Sequence, residues 1–163
     1  MLAKWLALAA VLSSLGCSSE GEFTTDISGN YNVAVTNRAS SCDFEDWMEG
    51  KEASGIGLAI TQDGDEAHAT VDGVTAIFFN VWLGSSEFDG QVTRSTFHVV
   101  NYGQRSQTQG NCTFTYNAVV DGKLESDAIS GTITYAPATT SSPDCAAVRC
   151  EAVQDFSGSR PPR

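Results

Sequence analysis

The chain has 163 residues, with 20 acidic side chains against 9 basic ones and a formal net charge of −11. A field of that sign repels phosphate, which excludes nucleic acid and anionic lipid headgroups as expected partners. The length suits one domain with room for a real core.

Residues 1–16 carry Lys4, an apolar run from Trp5 to Leu12, and small residues ahead of Cys17. This is the pattern of a secretory signal peptide, and its run falls short of the roughly 20 residues that a spanning helix needs. The sequence Ser14-Leu15-Gly16-Cys17 resembles the bacterial lipobox, which implies cleavage before Cys17 and acyl chains (diacylglycerol, palmitate) on that cysteine. Ser14 stands where Leu is more usual, which leaves ordinary signal-peptidase cleavage as the alternative. By the same resemblance Ser18, rather than Asp, implies the outer membrane of the cell envelope. Each buried methylene of an acyl chain contributes about 0.8 kcal/mol, so two or three chains anchor a protein durably. The expected layout is a leader over 1–16, the lipidated Cys17 with a flexible tether over 17–26, and a single all-β domain over 27–163.

From Ile27 onward the apolar residues recur with period two. Tyr31, Val33 and Val35 alternate with polar or small neighbours, as do Ile56, Leu58 and Ile60. Between them lies an acidic segment, Asp43, Glu45, Asp46, Glu49 and Glu52, interleaved with Phe44, Trp47 and Met48; it reads as a solvated loop. Further strand-like runs cover 67–72, 87–94, 95–102, 112–120, 128–136 and 147–156. Asp63-Gly64 and Asp121-Gly122 are placed to make hairpin turns. The apolar stretch Val74 to Leu83 reads on its own as a core strand. No segment of the domain shows a helical stripe.

These features predict an antiparallel, about eight-stranded up-and-down β-barrel, with a two-sheet sandwich as the alternative. Gly29-Asn30-Tyr31 resembles the Gly-x-Trp opening of lipocalin and avidin barrels, with Tyr31 in the aromatic place, and Ile129 to Tyr135 is similar to strands of such meanders. The resemblance implies architecture rather than activity.

Eight strands result if 74–83 is a connection. The long connections 38–55, 73–86, 103–111 and 137–146 then share one rim, with Cys42, Cys112 and Cys145 on it and Cys150 just below. With Cys17 lipidated, these four cysteines form two disulfides in one of three pairings, and an oxidising compartment favours that over a zinc site. In the same arrangement Phe78, Phe79 and Trp82 face Phe44, Trp47 and Met48 at the barrel mouth, as a ligand site or a plug. Tyr31, Phe97, Phe114 and Tyr116 are expected to line the cavity beneath.

His68 and His98 fall on separate strands, and no metal-binding, nucleophile-elbow or phosphate-loop motif occurs. No enzyme activity, catalytic residue, metal or cofactor is therefore expected. The functional expectation is a monomeric envelope lipoprotein, joined to its membrane through Cys17, that binds a small apolar or amphipathic ligand. The alternative is an interaction or inhibitor module for an envelope protein, working through its loops. Arg160 and Arg163 read as caps on an acidic domain.

Overall fold

The computed structural model describes residues 24–140 and 142–162. The leader, Cys17 and residues 18–23 of the expected tether lie outside them. In chain order the elements are β1 (Gly29–Ser40), β2 (Glu52–Asp63), β3 (Glu66–Val71), α1 (Gly73–Trp82), β4 (Glu87–Thr93) and β5 (Thr96–Asn101). Then come β6 (Gln107–Gln109), β7 (Cys112–Glu125), β8 (Ala128–Thr139), a 3-10 helix (Pro143–Val148) and β9 (Ala152–Ser159).

Each strand pairs antiparallel with its neighbour, β5 continues to β7, and β1 pairs with β9, which closes an eight-stranded up-and-down barrel. The short β6 is an extra strand on the edge of β7. Closure removes the free edges that a sandwich would leave, so the barrel, not the sandwich, is the fold. The alternation read from sequence sets the inside: Tyr31, Val33 and Val35 of β1, Ala67, Ala69 and Val71 of β3, and Phe97 and Val99 of β5 are all buried.

The barrel's two rims differ. At the lower rim three hairpins turn on two residues each, Gly64-Asp65, Arg94-Ser95 and Ser126-Asp127. The first residue of each has positive φ, at 62°, 55° and 59° respectively. The upper rim holds all the long connections, including α1 and the 3-10 helix, as the strand parity predicts.

Three details depart from the sequence reading. The segment from Gly73 to Trp82 is a helix, not a strand. Asp121-Gly122 is not a turn but lies inside β7, where Gly122 pairs with Gly131. A side chain on Gly122 would meet the Phe97 ring at 2.3 Å, so glycine is needed there for the ring to lie across the wall. Cys150 precedes β9 and so sits at the rim with the other cysteines, because the chain over 143–148 is 3-10 helix rather than strand.

The disulfides are Cys42–Cys150 and Cys112–Cys145. The first clasps the connections above β1 and β9, the seam where the barrel closes. Below that seam Arg160 performs the corresponding task. Its side chain is only 7% exposed and donates from Nε to Asp127 Oδ1 (3.2 Å) and from Nη1 and Nη2 to the Asp26 carbonyl (3.3 Å). Nη1 also donates to the Ser28 carbonyl. The guanidinium lies 5.6 Å from the centre of the Tyr31 ring, whose hydroxyl donates to the Ile27 carbonyl (2.7 Å). Arg160 is thus a buried keystone rather than a surface cap. Thr25, within the expected tether, is already docked, its N–H donating to the Arg94 carbonyl (2.7 Å).

Candidate functional site: an apolar cavity under an aromatic plug

Inside the barrel lies a cavity of about 210 Å³. Its walls come from inward positions of the strands, among them Val33 and Val35, Leu58 and Ile60, Ala69 and Val71, and Val99. Phe97 and Phe156 are among its lining rings, and Thr75, Phe78 and Phe79 of α1 reach it from the helix. Ala69 on β3 leaves the space that a larger side chain would fill. Empty cavities lined by such groups stay dry, and one on the order of 150 Å³ accepts a benzene-sized guest.

The roof has two parts. Over one half, aromatic rings form a plug: Phe44 stands edge-on to Trp82 and to Tyr116 at 5.1 Å each, and Trp82 lies 5.2 Å from Tyr116 and 5.4 Å from Tyr135. Trp47 joins through Tyr135 (6.3 Å) and is held by its indole N–H donating to the Arg38 carbonyl (2.9 Å). The acidic connection between β1 and β2 therefore delivers two apolar anchors, Phe44 and Trp47, while its carboxylates stay in water.

The other half is roofed by α1. Phe79 packs into the core beside Phe88 at 5.8 Å, and Leu83 is fully buried. The Leu83 carbonyl accepts from the Gln104 and Arg105 N–H groups (2.6 and 3.1 Å), which pins the C-terminal end of the helix. Of the residues lining the cavity, Ala53 on β2 and Phe78 on α1 are exposed to solvent, and Ile56, Leu58, Thr75, Val120, Ile133 and Gln154 are half-buried. At Ala53 and Phe78, on the upper half of β2 and on α1, the lining meets solvent most openly.

Of the six residues expected at the mouth, the five aromatic ones are brought there, joined by Tyr116, in two roles, whereas Met48 is left exposed. Phe78 and Phe79 line the cavity, whereas Phe44, Trp47, Trp82 and Tyr116 make the plug. Of the four residues expected to line the interior, Phe97 does so. Tyr31 belongs to the lower closure, Tyr116 to the plug, and Phe114 to a satellite cluster with Val148 and the Cys112–Cys145 bridge. The short β6 helps to hold that cluster's strand in place.

Sequence reasoning missed the polar part of the site. The Tyr135 hydroxyl donates to Gln154 Oε1 (2.9 Å), and Gln154 Nε2 donates to Asn37 Oδ1 (2.7 Å). Tyr135 and Gln154 line the cavity. Burial pushes the Tyr135 phenol far above its ordinary pKa, so it remains a neutral donor. A signal was present: Gln154 falls between Ala152 and Phe156 in the inward phase of its strand, where a polar residue is out of pattern.

Outside, His68 Nδ1 is paired with Asp89 Oδ1 and His98 Nδ1 with Asp121 Oδ1, both at 2.7 Å and in solvent. Among the described residues no group of three or more His, Cys, Asp or Glu side chains is arranged to hold a metal ion. No family model matches the chain, and no curated protein or solved structure does either. The class this chain is assigned to is thus the one its geometry defines, a closed up-and-down β-barrel with an apolar cavity beneath a helix and an aromatic plug.

Proposed function

We propose that the protein is an exported lipoprotein of the cell envelope, anchored through acyl chains on Cys17, whose barrel binds one small apolar or amphipathic molecule. The observation that carries the ligand reading is the cavity of about 210 Å³, apolar on nearly all sides, whose lining meets solvent at Ala53 and Phe78, which we read as its portal. Ligand sites are characteristically concave, mostly apolar and largely preformed; at about 210 Å³ this one falls below the roughly 300–1,000 Å³ of drug-sized sites and suits a smaller guest.

The way the chain enters the barrel fits an anchored carrier. Thr24 and Thr25 bind at the lower rim, on Gly64 and Arg94, so the attachment side is opposite the portal. Seven residues extend at most about 25 Å, so Cys17 tethers the barrel by its closed end. The portal then faces away from the anchoring membrane, open to molecules in the surrounding aqueous space.

Native mass spectrometry of the full chain, isolated from the envelope of the cells that make it, tests the reading. We expect an N-terminal mass carrying acyl chains that disappears in Cys17→Ser, and a small molecule released on activation. The substitution Ala69→Phe fills the cavity and should abolish the adduct while both disulfides persist. An adduct that survives Ala69→Phe overturns the assignment of the site.

The outer face of α1 favours a second reading. Val74 (84%), Ile77 (63%), Phe78 (60%) and Val81 (71%) are exposed on it, and contiguous exposed apolar side chains are the kind of surface that marks interaction sites. An interaction module using that face would give a bare protein mass and a co-isolated protein in the same spectra.

A further inference from the structure

Resting on the ligand reading above, we infer that the barrel selects an uncharged guest bearing one hydrogen-bonding group, which Gln154 and Tyr135 hold at the upper end of the cavity. Every other lining residue except Thr75 is apolar, and Thr75 belongs to the helix at the portal. Among the described residues, the polar pair is therefore the hydrogen-bonding feature that the strands contribute to the wall.

Its orientation is set by its neighbours. Tyr135 uses its single hydroxyl proton on Gln154 Oε1, and Gln154 uses one amide proton on Asn37, its partner across the seam between β1 and β9. What remains for a guest is the second amide proton of Gln154 and lone pairs on Gln154 Oε1 and the phenol oxygen. An alcohol, a ketone or an amide can use these groups. The Tyr135 ring also touches the underside of the plug through Trp82 and Trp47, which fixes the height of the pair. A guest held there points its apolar body down toward Phe97 and Phe156.

Charged guests have no such reception. Among the described residues no Lys, Arg, His, Asp or Glu lines the cavity, so a carboxylate or an ammonium entering it gives up its hydration without a counter-charge. The acidic net charge further opposes anions. An ionised fatty acid is therefore the wrong ligand for this barrel despite its apolar tail, and a neutral alcohol or carbonyl compound of similar shape is the right one.

Calorimetric titration of the purified full chain with toluene, benzyl alcohol, benzoate and benzylammonium at neutral pH tests this. Benzyl alcohol should bind at least as tightly as toluene, and the two ions should bind more weakly by about 100-fold or more. In Gln154→Met, affinity for benzyl alcohol should fall about tenfold while that for toluene changes by less than about twofold. Tyr135→Phe, which keeps the ring in the plug, should lower benzyl alcohol binding selectively and provides the test if Gln154→Met does not fold. Benzoate or benzylammonium within about tenfold of benzyl alcohol overturns the inference, as does a variant that weakens toluene and benzyl alcohol alike; either result leaves the ligand reading standing. Failure of all four to bind at millimolar concentration overturns the ligand reading itself.

Discussion

The two ends of the barrel solve opposite problems with the same strands. At the lower end the turns are as short as hairpins allow, Arg160 and Tyr31 fill the closure, and every polar group of the keystone has a partner. At the upper end the strands run into long connections, a helix with an apolar outer face lies over the opening, and a cavity persists below it. Packing concentrated at one end allows the other to stay incompletely filled. Since an empty volume costs stability in proportion to its size, the lower closure and the disulfides offset what the cavity loses.

The seam between β1 and β9 is where this contrast is most exposed to test, because it joins the first strand to the last and is fastened at both ends. Loss of the upper fastening, in Cys42→Ser with Cys150→Ser, should have the largest effect. The bridge closes a separation of 108 residues against 33 for Cys112–Cys145, and chain entropy assigns roughly 4.7 kcal/mol to a loop of about 100 residues. The same relation puts the removal of Cys112–Cys145 about 1 kcal/mol lower. Denaturant titration of the two double variants checks the order, and equal or inverted losses would show that strain or residual unfolded-state structure governs instead.

Loss of the lower fastening comes next. Arg160→Ala strips donors from the Asp26 and Ser28 carbonyls and from Asp127 in a site that water barely reaches, which should cost about 3 kcal/mol. Arg160→Lys should recover only part of it, because a point charge cannot reproduce the fork. A loss as small as that of a surface arginine would mean the lower end is not where closure is secured.

Phe78→Ala turns the comparison from stability to access. Its ring is mostly in solvent, so the expected destabilisation is below about 1 kcal/mol. Exchange of a cavity-bound guest should nevertheless quicken several-fold, as read by line broadening in NMR spectra. A comparable change at the lower end, such as Ser126→Gly, should leave exchange untouched. If the two variants alter exchange equally, the portal is not between α1 and β2.

How much of this was legible in the sequence follows the same division. The strands were readable because each has one face in the core and one in water, so Tyr31, Val33 and Val35 or Phe97 and Val99 declare themselves by period. The placement of all long connections on one rim followed from strand parity. α1 was not readable as a helix, because Val74, Ile77, Phe78 and Val81 are apolar outside while Phe79, Trp82 and Leu83 are apolar inside. A segment apolar all round shows neither period. Arg160 hid in a Gly-Ser-Arg-Pro-Pro tail that looks like a solvated end. The disulfide pairing depended on which rim connections become neighbours once β1 meets β9, a fact of closure that no local pattern contains. In the site, the aromatic residues were legible by composition, whereas the chain of Tyr135, Gln154 and Asn37 required knowing that three separated strands meet.

The smallest expected effect lies midway along the seam, on its outer face, where Arg38 Nε donates to Asp155 Oδ2 at 2.8 Å. The hydrogen bond and charge of Arg38 hold the Asp155 carboxyl below its ordinary pKa. A carboxyl depressed in the folded state stabilises fully above its unfolded pKa, about 3.9, and loses that contribution as pH falls through the folded value. Both side chains are about half exposed, at 53% and 50%, so screening keeps the contribution modest and added salt should reduce it further. The denaturation midpoint of Asp155→Asn should therefore sit slightly below that of the unsubstituted chain at pH 7, and the two should converge as pH falls through the depressed folded value. A gap of constant size across that range would assign the difference to packing against the seam rather than to the ion pair. The middle of the seam would then depend on the same close contacts as its lower end.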